Sequence, residues 1–267
     1  MKVVNAQSGF IRIFLYRISE LLAVLCWSLL YLLRQRQQKW LTREQIRFVR
    51  FSFSQYGEDV VIEELINQLG IERGFYVDVG AYDPLIYSNT LLLFERGWSG
   101  INIDVDEQKI ERFGRARPGD WNLACGVSKT SGRKQFARYT DPLLTRLINE
   151  TDDSSMLDDS YGNPPLETFE AETKPLRVIL EDSPFRGRHI DFLNIDCEGS
   201  DLEILESLDF PTYQPRVVAV EALDPTARAK IREFMNSQGY VMALRMKITG
   251  IFVPRAEVIR LGLDNDR

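Results

Sequence analysis

The sequence predicts an α/β fold in which a doubly wound, mostly parallel sheet ends in an antiparallel hairpin and is preceded by an apolar N-terminal helix. Three observations support this prediction. From Phe51 onward, short apolar runs alternate with amphipathic segments. Turns that contain glycine or aspartate follow several of these runs. The last two apolar runs, YVMALRMK and TGIFVPR, follow each other without an intervening helix, as the strands of a hairpin do.

Length and charge limit the classes of function. A chain of 267 residues can bury a full core, so we expect one domain with an appendage. Residues 1–50 carry nine basic and two acidic side chains, and because the net charge is −6, residues 51–267 carry a net −13. This acidic body argues against nucleic acid as a partner, since phosphates require a basic face. The cysteines, Cys26, Cys125 and Cys197, lie far apart and form no disulfide framework.

The basic N-terminal segment, residues 1–50, is the first predicted domain and contains a helical pattern of apolar residues at 10–33. Its charge-free part, Leu21–Leu33, is 13 residues long and too short to span a bilayer. The charged residues of the first half fall within one arc of the helix, so that half is amphipathic. We therefore expect residues 10–33 to make peripheral contact with the inner face of the cell membrane. The alternative is a helix that packs on the body or on a second copy of the chain, as in a homo-oligomer.

Residues 51–267 form the second predicted domain. Its helices are amphipathic and its strands carry apolar residues on both faces, as buried parallel strands do. The predicted elements before residue 140 are helices at 57–69, 88–97 and 107–115, strands at 75–80, 99–106 and 121–128, and an extended piece at 133–139.

A polar stretch at 140–172 contains three prolines, so we expect a long loop there, which is either a substrate loop or a disordered segment. The elements predicted after it are helices at 173–182, 200–208 and 225–239, strands at 190–199 and 216–223, and the closing hairpin.

The loop after the first predicted strand, DVGAYDP, contains a single glycine. A dinucleotide site needs G-x-G-x-x-G, because the pyrophosphate must approach the backbone closely. A Walker lysine motif is absent from the sequence as well. A cofactor without phosphates suits this loop better, and S-adenosylmethionine is such a cofactor.

In this interpretation Gly80 lets the chain pass close to the methionine end of the cofactor, and Asp78 meets its ammonium group. Asp104, at the end of the next strand, accepts hydrogen bonds from both ribose hydroxyls. The candidates that flank the adenine lie on the third strand and are Asn122, Ala124 and Cys125. The alternative for either aspartate is a simple turn cap.

Five segments between residues 52 and 255 occur in a fixed order: SQYGEDVVI (54–62), FYVDVGAYDP, YSNTLLLFERGWSGINIDVDEQ, IDFLNIDCEGSDLEIL and VVAVE. In this combination the chain resembles the FkbM-type methyltransferase family, and most closely its members among polysaccharide biosynthesis proteins. The resemblance implies a Rossmann-like class I methyltransferase fold, S-adenosylmethionine as the methyl donor, and O-methylation, often of a sugar hydroxyl.

The resemblance also implies that the SQYGED segment closes over the cofactor pocket, which adds Glu58 to the cofactor-binding candidates. We expect Asp83 and Asn89 to face the same pocket from the following loop and helix. Relatives usually have histidine where this chain has Tyr82. The mechanism therefore cannot be assigned to that position.

Acidic residues at the carboxyl ends of the later strands are the catalytic candidates. Asp196 and Glu198 alternate with Cys197, so both acids point to the same side, and Glu221 ends the next strand. Converging carboxylates repel one another unless they are protonated, hydrogen-bonded or bridged by a cation. We expect Asp196 or Glu198 to act as base or to position the acceptor, or all three acids to hold a divalent metal ion such as Mg²⁺. The alternative is that Glu198 and Gly199 only shape the turn while Glu221 binds a backbone amide.

Together these patterns predict an S-adenosylmethionine-dependent O-methyltransferase that acts on a sugar or glycan acceptor in the cytoplasm, at the inner face of the membrane. Two alternatives remain open at this point. One is an O-methyltransferase of a small metabolite, and the other is a membrane-associated scaffold that keeps the fold without turnover.

Overall fold

The computed structural model describes residues 48–141, 143–148, 163–258 and 260–262. The chain divides into two units between Arg50 and Phe51, and the helices and strands named below belong to the second unit. Within the described ranges, none of the helices has both the length and the apolar character of a membrane span. The apolar helix predicted at 10–33 lies outside these ranges.

Strands and helices alternate as the sequence predicts, except over residues 121–174, where five described strands follow one another, and in the closing hairpin. The helices are α1 (Glu58–Gln68), α2 (Leu91–Glu95), α3 (Glu107–Ala116), α4 (Leu176–Asp182), α5 (Asp201–Glu206), α6 (Phe210–Tyr213) and α7 (Pro225–Ser237), with a 3₁₀ turn at Arg255–Glu257. The strands are β1 (Phe75–Val79), β2 (Ser99–Asp104), β3 (Trp121–Ala124), β4 (Gly126–Val127), β5 (Gly132–Arg138), β6 (Thr145–Leu147), β7 (Glu167–Lys174), β8 (Phe192–Ile195), β9 (Val217–Glu221), β10 (Tyr240–Met246) and β11 (Thr249–Pro254).

Seven of these described strands form the central sheet, in the order β10-β11-β9-β8-β1-β2-β3. The five neighbouring strands β3, β2, β1, β8 and β9 pair in parallel. Strand β11 runs antiparallel to both of its neighbours, β9 and β10. Every residue of β1, β8 and β9 is buried, as expected for strands that are covered on both faces. The arrangement confirms the predicted doubly wound, mostly parallel sheet with a C-terminal antiparallel hairpin.

Helices cover both faces of the central sheet. On one face, Ile62 and Ile66 of α1 belong to an apolar cluster that includes Tyr76 of β1. On the other face, α4, α5 and α7 contribute to a cluster with the alternate residues of β1, such as Val77. One buried strand therefore supplies side chains to both cores, and its carboxyl end is left free for a ligand.

A second sheet of four described strands has the order β4-β7-β5-β6. Residues 167–172, predicted as part of a long loop, form most of β7. Charged residues alternate there with Phe169, Ala171 and Thr173, which is the period-two pattern of a half-buried strand. The Phe169 ring stacks on Phe136 of β5, with 5.9 Å between the ring centroids. Most of the remaining predicted loop, residues 149–162, lies outside the described ranges.

The side chain of Arg117, which follows α3, is fully buried. Its guanidinium donates hydrogen bonds to the Pro84 carbonyl (2.6 Å), Thr90 Oγ1 (2.8 Å) and Ser88 Oγ (3.0 Å). The same group lies over the rings of two phenylalanines, 5.1 Å from the centroid of Phe113 and 5.2 Å from that of Phe94. Arg117 therefore fixes the loop that joins β1 to α2.

Two hydroxyl groups connect Arg117 to carboxylates. Thr90 Oγ1, which accepts from Arg117, donates to Asp78 Oδ2 at 2.8 Å. Tyr76, 3.3 Å from the guanidinium, donates a short hydrogen bond to Asp120. A buried charge is costly unless it is neutralised and hydrogen-bonded, so this relay holds Asp78 in place and stabilises the guanidinium.

The turn after β1 passes very close to the end of β8. Gly80 has a φ of +80°, and a Cβ atom added there would lie 1.8 Å from the carbonyl oxygen of Asp196. The backbone N–H groups of Gly80 and Ala81 both donate to the Ile103 carbonyl, at 2.9 and 3.0 Å. Because the turn is bonded to β2 on one side and touches β8 on the other, glycine is required at this position.

We expect Arg117→Met to lower the free energy of unfolding by about 3 kcal/mol or more, because several hydrogen bonds to a buried charge are lost together. Urea denaturation measures this change. Arg115→Met, on the exposed face of α3 where Arg115 pairs with Glu111, is the matched control and should cost less than about 0.5 kcal/mol. Equal stability of the two variants would contradict the structural role of Arg117.

Gly80→Ala should destabilise the protein more than Gly97→Ala. Both glycines have a left-handed φ, +80° and +84°, but a Cβ at Gly97 meets nothing within 4 Å. The backbone strain, about 1 kcal/mol, is therefore shared, and the clash with Asp196 is specific to Gly80. The difference in melting temperature between the two variants measures the effect of the clash with Asp196. Equal melting temperatures would show that the fold does not require the close approach of Gly80 to Asp196.

Candidate functional site

A pocket with a volume of about 330 Å³ lies at the carboxyl ends of the central strands. A volume of this order suits a small molecule. The pocket is lined by most of the residues that the sequence analysis selected, namely Glu58, Asp78, Gly80, Asn89, Asp104, Cys125, Asp196, Glu198 and Glu221. Asp78 and Asp104 sit at the same edge of the sheet, because β1 and β2 are parallel neighbours.

Asp78 is buried and uses both oxygens within the protein. Oδ1 accepts from Asn194 Nδ2 at 2.9 Å, and Oδ2 accepts from Thr90 Oγ1 at 2.8 Å. Burial raises the pKa of Asp78, and the hydrogen bonds from Asn194 and Thr90 act in the opposite direction. A carboxylate can accept about four hydrogen bonds, so Asp78 keeps capacity for a ligand.

The Asp78 carboxylate also sets the orientation of a chain of amides. Since Asn194 Nδ2 donates to Asp78, Asn194 Oδ1 is the acceptor for Asn89 Nδ2, at 3.0 Å. Asn89 Oδ1 is then left buried with no hydrogen-bond partner among the described residues. An acceptor in this state favours a ligand that brings a donor.

Asp104 is buried at the end of β2. Its Oδ1 accepts from the backbone N–H of Asp106 at 2.8 Å, and its Oδ2 lies 3.5 Å from Lys109 Nζ. Burial raises the pKa of Asp104 to about 6, while the Lys109 ammonium opposes this rise. Lys109 was not among the predicted site residues, although a lysine in the first turn of a helix is unusual and could have drawn attention to it.

Two predicted cofactor residues, Asn122 and Ala124, do not line the pocket. Asn122 pairs with Asn102 within the sheet, where its Oδ1 accepts from Asn102 Nδ2 at 2.8 Å and its Nδ2 donates to the Arg117 carbonyl at 3.1 Å. Ala124 is exposed on the edge strand. Of the three residues predicted to flank the adenine, only Cys125 lines the pocket, and it lies just beyond the end of β3.

The Cys125 side chain is a buried thiol. Its Sγ donates weakly to the carbonyl of Glu172, at 3.5 Å. Burial raises the pKa of Cys125 to about 11. The residue therefore offers the pocket an uncharged, polarisable surface at neutral pH.

The SQYGED segment contributes its two acids differently. Glu58 lines the pocket and accepts from the backbone N–H of Tyr56 at 2.8 Å. Asp59 instead stabilises the start of α1, where it accepts from Ser52 Oγ (2.6 Å), the Phe53 N–H (2.6 Å) and Ser54 Oγ (2.8 Å). The segment thus supplies one acid to the pocket and one to its own turn.

The three predicted catalytic acids converge in the pocket. Asp196, Glu198 and Glu221 each offer an oxygen, and these atoms lie within 4.8 Å of one another. Asp196 and Glu221 share a hydrogen bond. Asp196 is exposed at the pocket, Glu198 is half-buried and Glu221 is buried. Desolvation in the pocket raises the pKa of Asp196, and the charges of Asp78 and Glu58 add to this rise while the hydrogen bond from Glu221 opposes it. Desolvation and the charge of Asp196 raise the pKa of Glu221, and they raise that of Glu198 to about 7.

The turn after β8 is held by Asp201 rather than by Glu198. Asp201 accepts from the backbone N–H groups of Cys197 (2.9 Å) and Gly199 (3.0 Å). Glu198 adopts a left-handed φ of +51° in this turn. Glu221 Oε2 is buried without a hydrogen-bond partner in the described part of the chain. The geometry therefore leaves Glu198 and Glu221 available for chemistry.

Electrostatically, the lining is acidic. Lys109 is the only basic residue among the described side chains that line the pocket. On the opposite side, Phe136, Leu144 and Leu147 from the second sheet contribute an apolar wall. The pocket thus suits a ligand that combines positive charge or hydrogen-bond donors with apolar surface.

Comparisons with known proteins point to one family. Residues 78–242 match the family model of the methyltransferase FkbM domain. Among solved structures, the chain is similar to methyltransferase FkbM from Methylobacillus flagellatus KT, with 16% identity and a TM-score of 0.42, over 78% of this chain and 46% of that one. It is also similar to a candidate RNA methyltransferase from Pyrococcus horikoshii, with 15% identity and a TM-score of 0.40, over 78% of this chain and 91% of that one.

The match to the first of these structures spans less than half of its length. No curated protein matches the chain. The family match carries the assignment, because residues 78–242 are more than half of the 267 residues and contain the carboxyl ends of the parallel strands that line the pocket. The chain is therefore a methyltransferase-fold protein that belongs to the methyltransferase FkbM domain family.

Proposed function

We propose that the protein transfers the methyl group of S-adenosylmethionine to a hydroxyl group of a sugar, in a glycan or a lipid-linked saccharide. The observation that carries this proposal is the placement of Asp78 and Asp104 at adjoining strand ends on either side of a one-glycine turn. This arrangement lacks a phosphate cradle and offers two carboxylates, which suits the ammonium group and the ribose of this cofactor.

In the transfer, the acceptor oxygen forms a bond to the methyl carbon while the bond from that carbon to sulfur breaks, and S-adenosylhomocysteine leaves. The proton of the hydroxyl group passes to a carboxylate. Glu198 is the best base among the three acids, because a pKa of about 7 leaves it partly ionised at neutral pH and able to accept the proton. Asp196 and Glu221, which share a hydrogen bond, orient the acceptor.

A divalent cation such as Mg²⁺ is the alternative to Glu198 as a free base. Asp196, Glu198 and Glu221 would hold it through oxygen ligands, and the buried oxygen of Glu221 that has no partner among the described residues fits this requirement. Such an ion would lower the pKa of a bound hydroxyl group.

A lipid-linked acceptor is supported by the apolar rim of the pocket. Tyr87 and Leu223 line the pocket and are both 48% exposed, and Leu85 and Ile86 beside Tyr87 are more exposed still. Apolar side chains at a pocket mouth favour an acceptor with an apolar part. The proposed location, in the cytoplasm at the inner face of the cell membrane, rests on the sequence pattern of residues 10–33.

Calorimetry tests the choice of cofactor. S-Adenosylmethionine should bind the wild type and NAD should not, because the pocket has no phosphate cradle. Asp104→Ala should weaken binding of S-adenosylmethionine about tenfold or more, whereas Asp182→Ala, which removes an exposed acid paired with Lys174, should leave it unchanged. Tight binding of NAD without any response to S-adenosylmethionine would overturn the proposed function.

Transfer of a tritiated methyl group to methyl glycosides of common hexoses tests the acids. Glu198→Gln and Asp196→Asn should reduce transfer at least a hundredfold and keep the affinity for S-adenosylmethionine, because proton transfer is lost but the cofactor contacts are not. Glu170→Gln, an exposed acid paired with Arg133, is the control.

Full activity of both site variants would remove the proposed role of these acids. Loss of activity in EDTA that Mg²⁺ restores would support the cation, and unchanged activity in EDTA would exclude it. Binding of the cofactor without transfer to any acceptor would favour a scaffold.

A further inference from the structure

Lys109 occupies a position that is unfavourable for a lysine in two ways. It lies in the first turn of α3, where the helix dipole disfavours positive charge. Its side chain is also almost fully buried, with 5% of the residue exposed, and a lysine is rarely buried unless it is paired. A buried lysine at the start of a helix is a candidate for a functional role, and its partner shows where to look for that role.

Lys109 makes its contacts at the cofactor edge of the pocket, the side formed by Asp78, Gly80 and Asp104. Its Nζ is 3.5 Å from Asp104 Oδ2 and 5.0 Å from the centre of the Tyr82 ring. An ammonium group has three donors, and the contact with Asp104 uses one of them. Lys109 therefore stands between the acid proposed to bind the ribose and the aromatic ring of the DVGAYDP loop.

The surroundings of Asp104 give Lys109 its importance. The charged or titratable groups that face this carboxylate are Lys109, Asp106 and the Cys197 thiol. Asp106 is itself paired with Arg138 of β5 at 3.1 Å. Lys109 is thus the only one of these three groups that favours a charged Asp104 through its own charge.

We propose that Lys109 is a positioning residue of the cofactor site: its ammonium group keeps the Asp104 carboxylate charged and oriented, so that Asp104 can accept hydrogen bonds from the ribose hydroxyls. This inference rests on the proposed function, and it assigns a role to a residue outside the predicted set. Tyr82 supports the arrangement by placing its ring against the ammonium.

A dependence of cofactor affinity on pH follows from this arrangement. The ionised form of Asp104 accepts the ribose hydroxyls, and burial raises the pKa of this group to about 6. Affinity should therefore increase as the pH rises through about 6 and level off above 7. Removal of the Lys109 charge raises the pKa of Asp104 further, so the increase in affinity should move to higher pH.

Calorimetric titration with S-adenosylhomocysteine between pH 5 and 9 tests the inference. Lys109→Met should weaken binding roughly tenfold at pH 7 and shift the pH midpoint upward. Lys109→Arg, which keeps the charge, should restore much of the affinity. Lys129→Met, which removes an exposed lysine paired with Glu206, should bind like the wild type.

An analogue of S-adenosylhomocysteine that lacks the ribose 2′-hydroxyl gives a second readout that a merely structural lysine would not move. The missing hydroxyl should cost the wild type several-fold in affinity and cost Lys109→Met much less, because the charged acceptor is already impaired. Independent, additive losses would overturn the role of Lys109, as would an unchanged pH midpoint in Lys109→Met. Lys109→Arg keeps the charge, so its midpoint should stay near that of the wild type, and a midpoint shifted as far as that of Lys109→Met would also overturn the role.

Failure of the two proposals can be told apart. If the wild type binds S-adenosylhomocysteine and Lys109→Met binds it equally well, only the role of Lys109 falls. If the wild type binds neither S-adenosylhomocysteine nor S-adenosylmethionine, the proposed function and this inference fall together.

Discussion

The cofactor edge of the protein depends on one buried charge that lies outside the pocket. Arg117 binds the loop between β1 and α2 through the Pro84 carbonyl and reaches Asp78 through the Thr90 hydroxyl. Because the guanidinium donates to Pro84, Ser88 and Thr90, the loop cannot move without breaking several bonds to a buried charge at once. The same loop carries Asn89, so the hydrogen bonds of Arg117 fix two polar residues of the pocket, Asp78 and Asn89.

The pocket itself concentrates negative charge. Asp196, Glu198 and Glu221 meet within 4.8 Å, and desolvation together with neighbouring negative charges raises their pKa values. Such a cluster is unfavourable when it is fully ionised, and a proton, a metal ion or a cationic ligand relieves it. Lys109 counteracts part of this charge at the Asp104 side. The sulfonium of the proposed cofactor carries a positive charge, which an acidic field of this kind attracts.

Local patterns were sufficient to predict the central sheet but not the second sheet. The apolar runs predicted the strands of the central sheet, and the unbroken sequence of the last two runs predicted the hairpin of β10 and β11. Residues 167–172 were assigned to a loop because charged residues dominate there, although Phe169 and Ala171 alternate with them as in a strand. These residues form a strand because β5 pairs with them and its Phe136 stacks on Phe169.

For the site, the sequence alone determined which acids end the strands, because an acidic residue at the end of an apolar run can be recognised from the sequence. Asp78, Asp104 and Glu221 were found in this way. The tertiary structure alone decided which polar residues line the pocket. Asn122 is bonded inside the sheet, and Arg117 and Lys109 gain their roles from partners that are distant in the chain or buried by packing. Burial and pairing are properties of the folded surroundings, so a sequence pattern does not contain them.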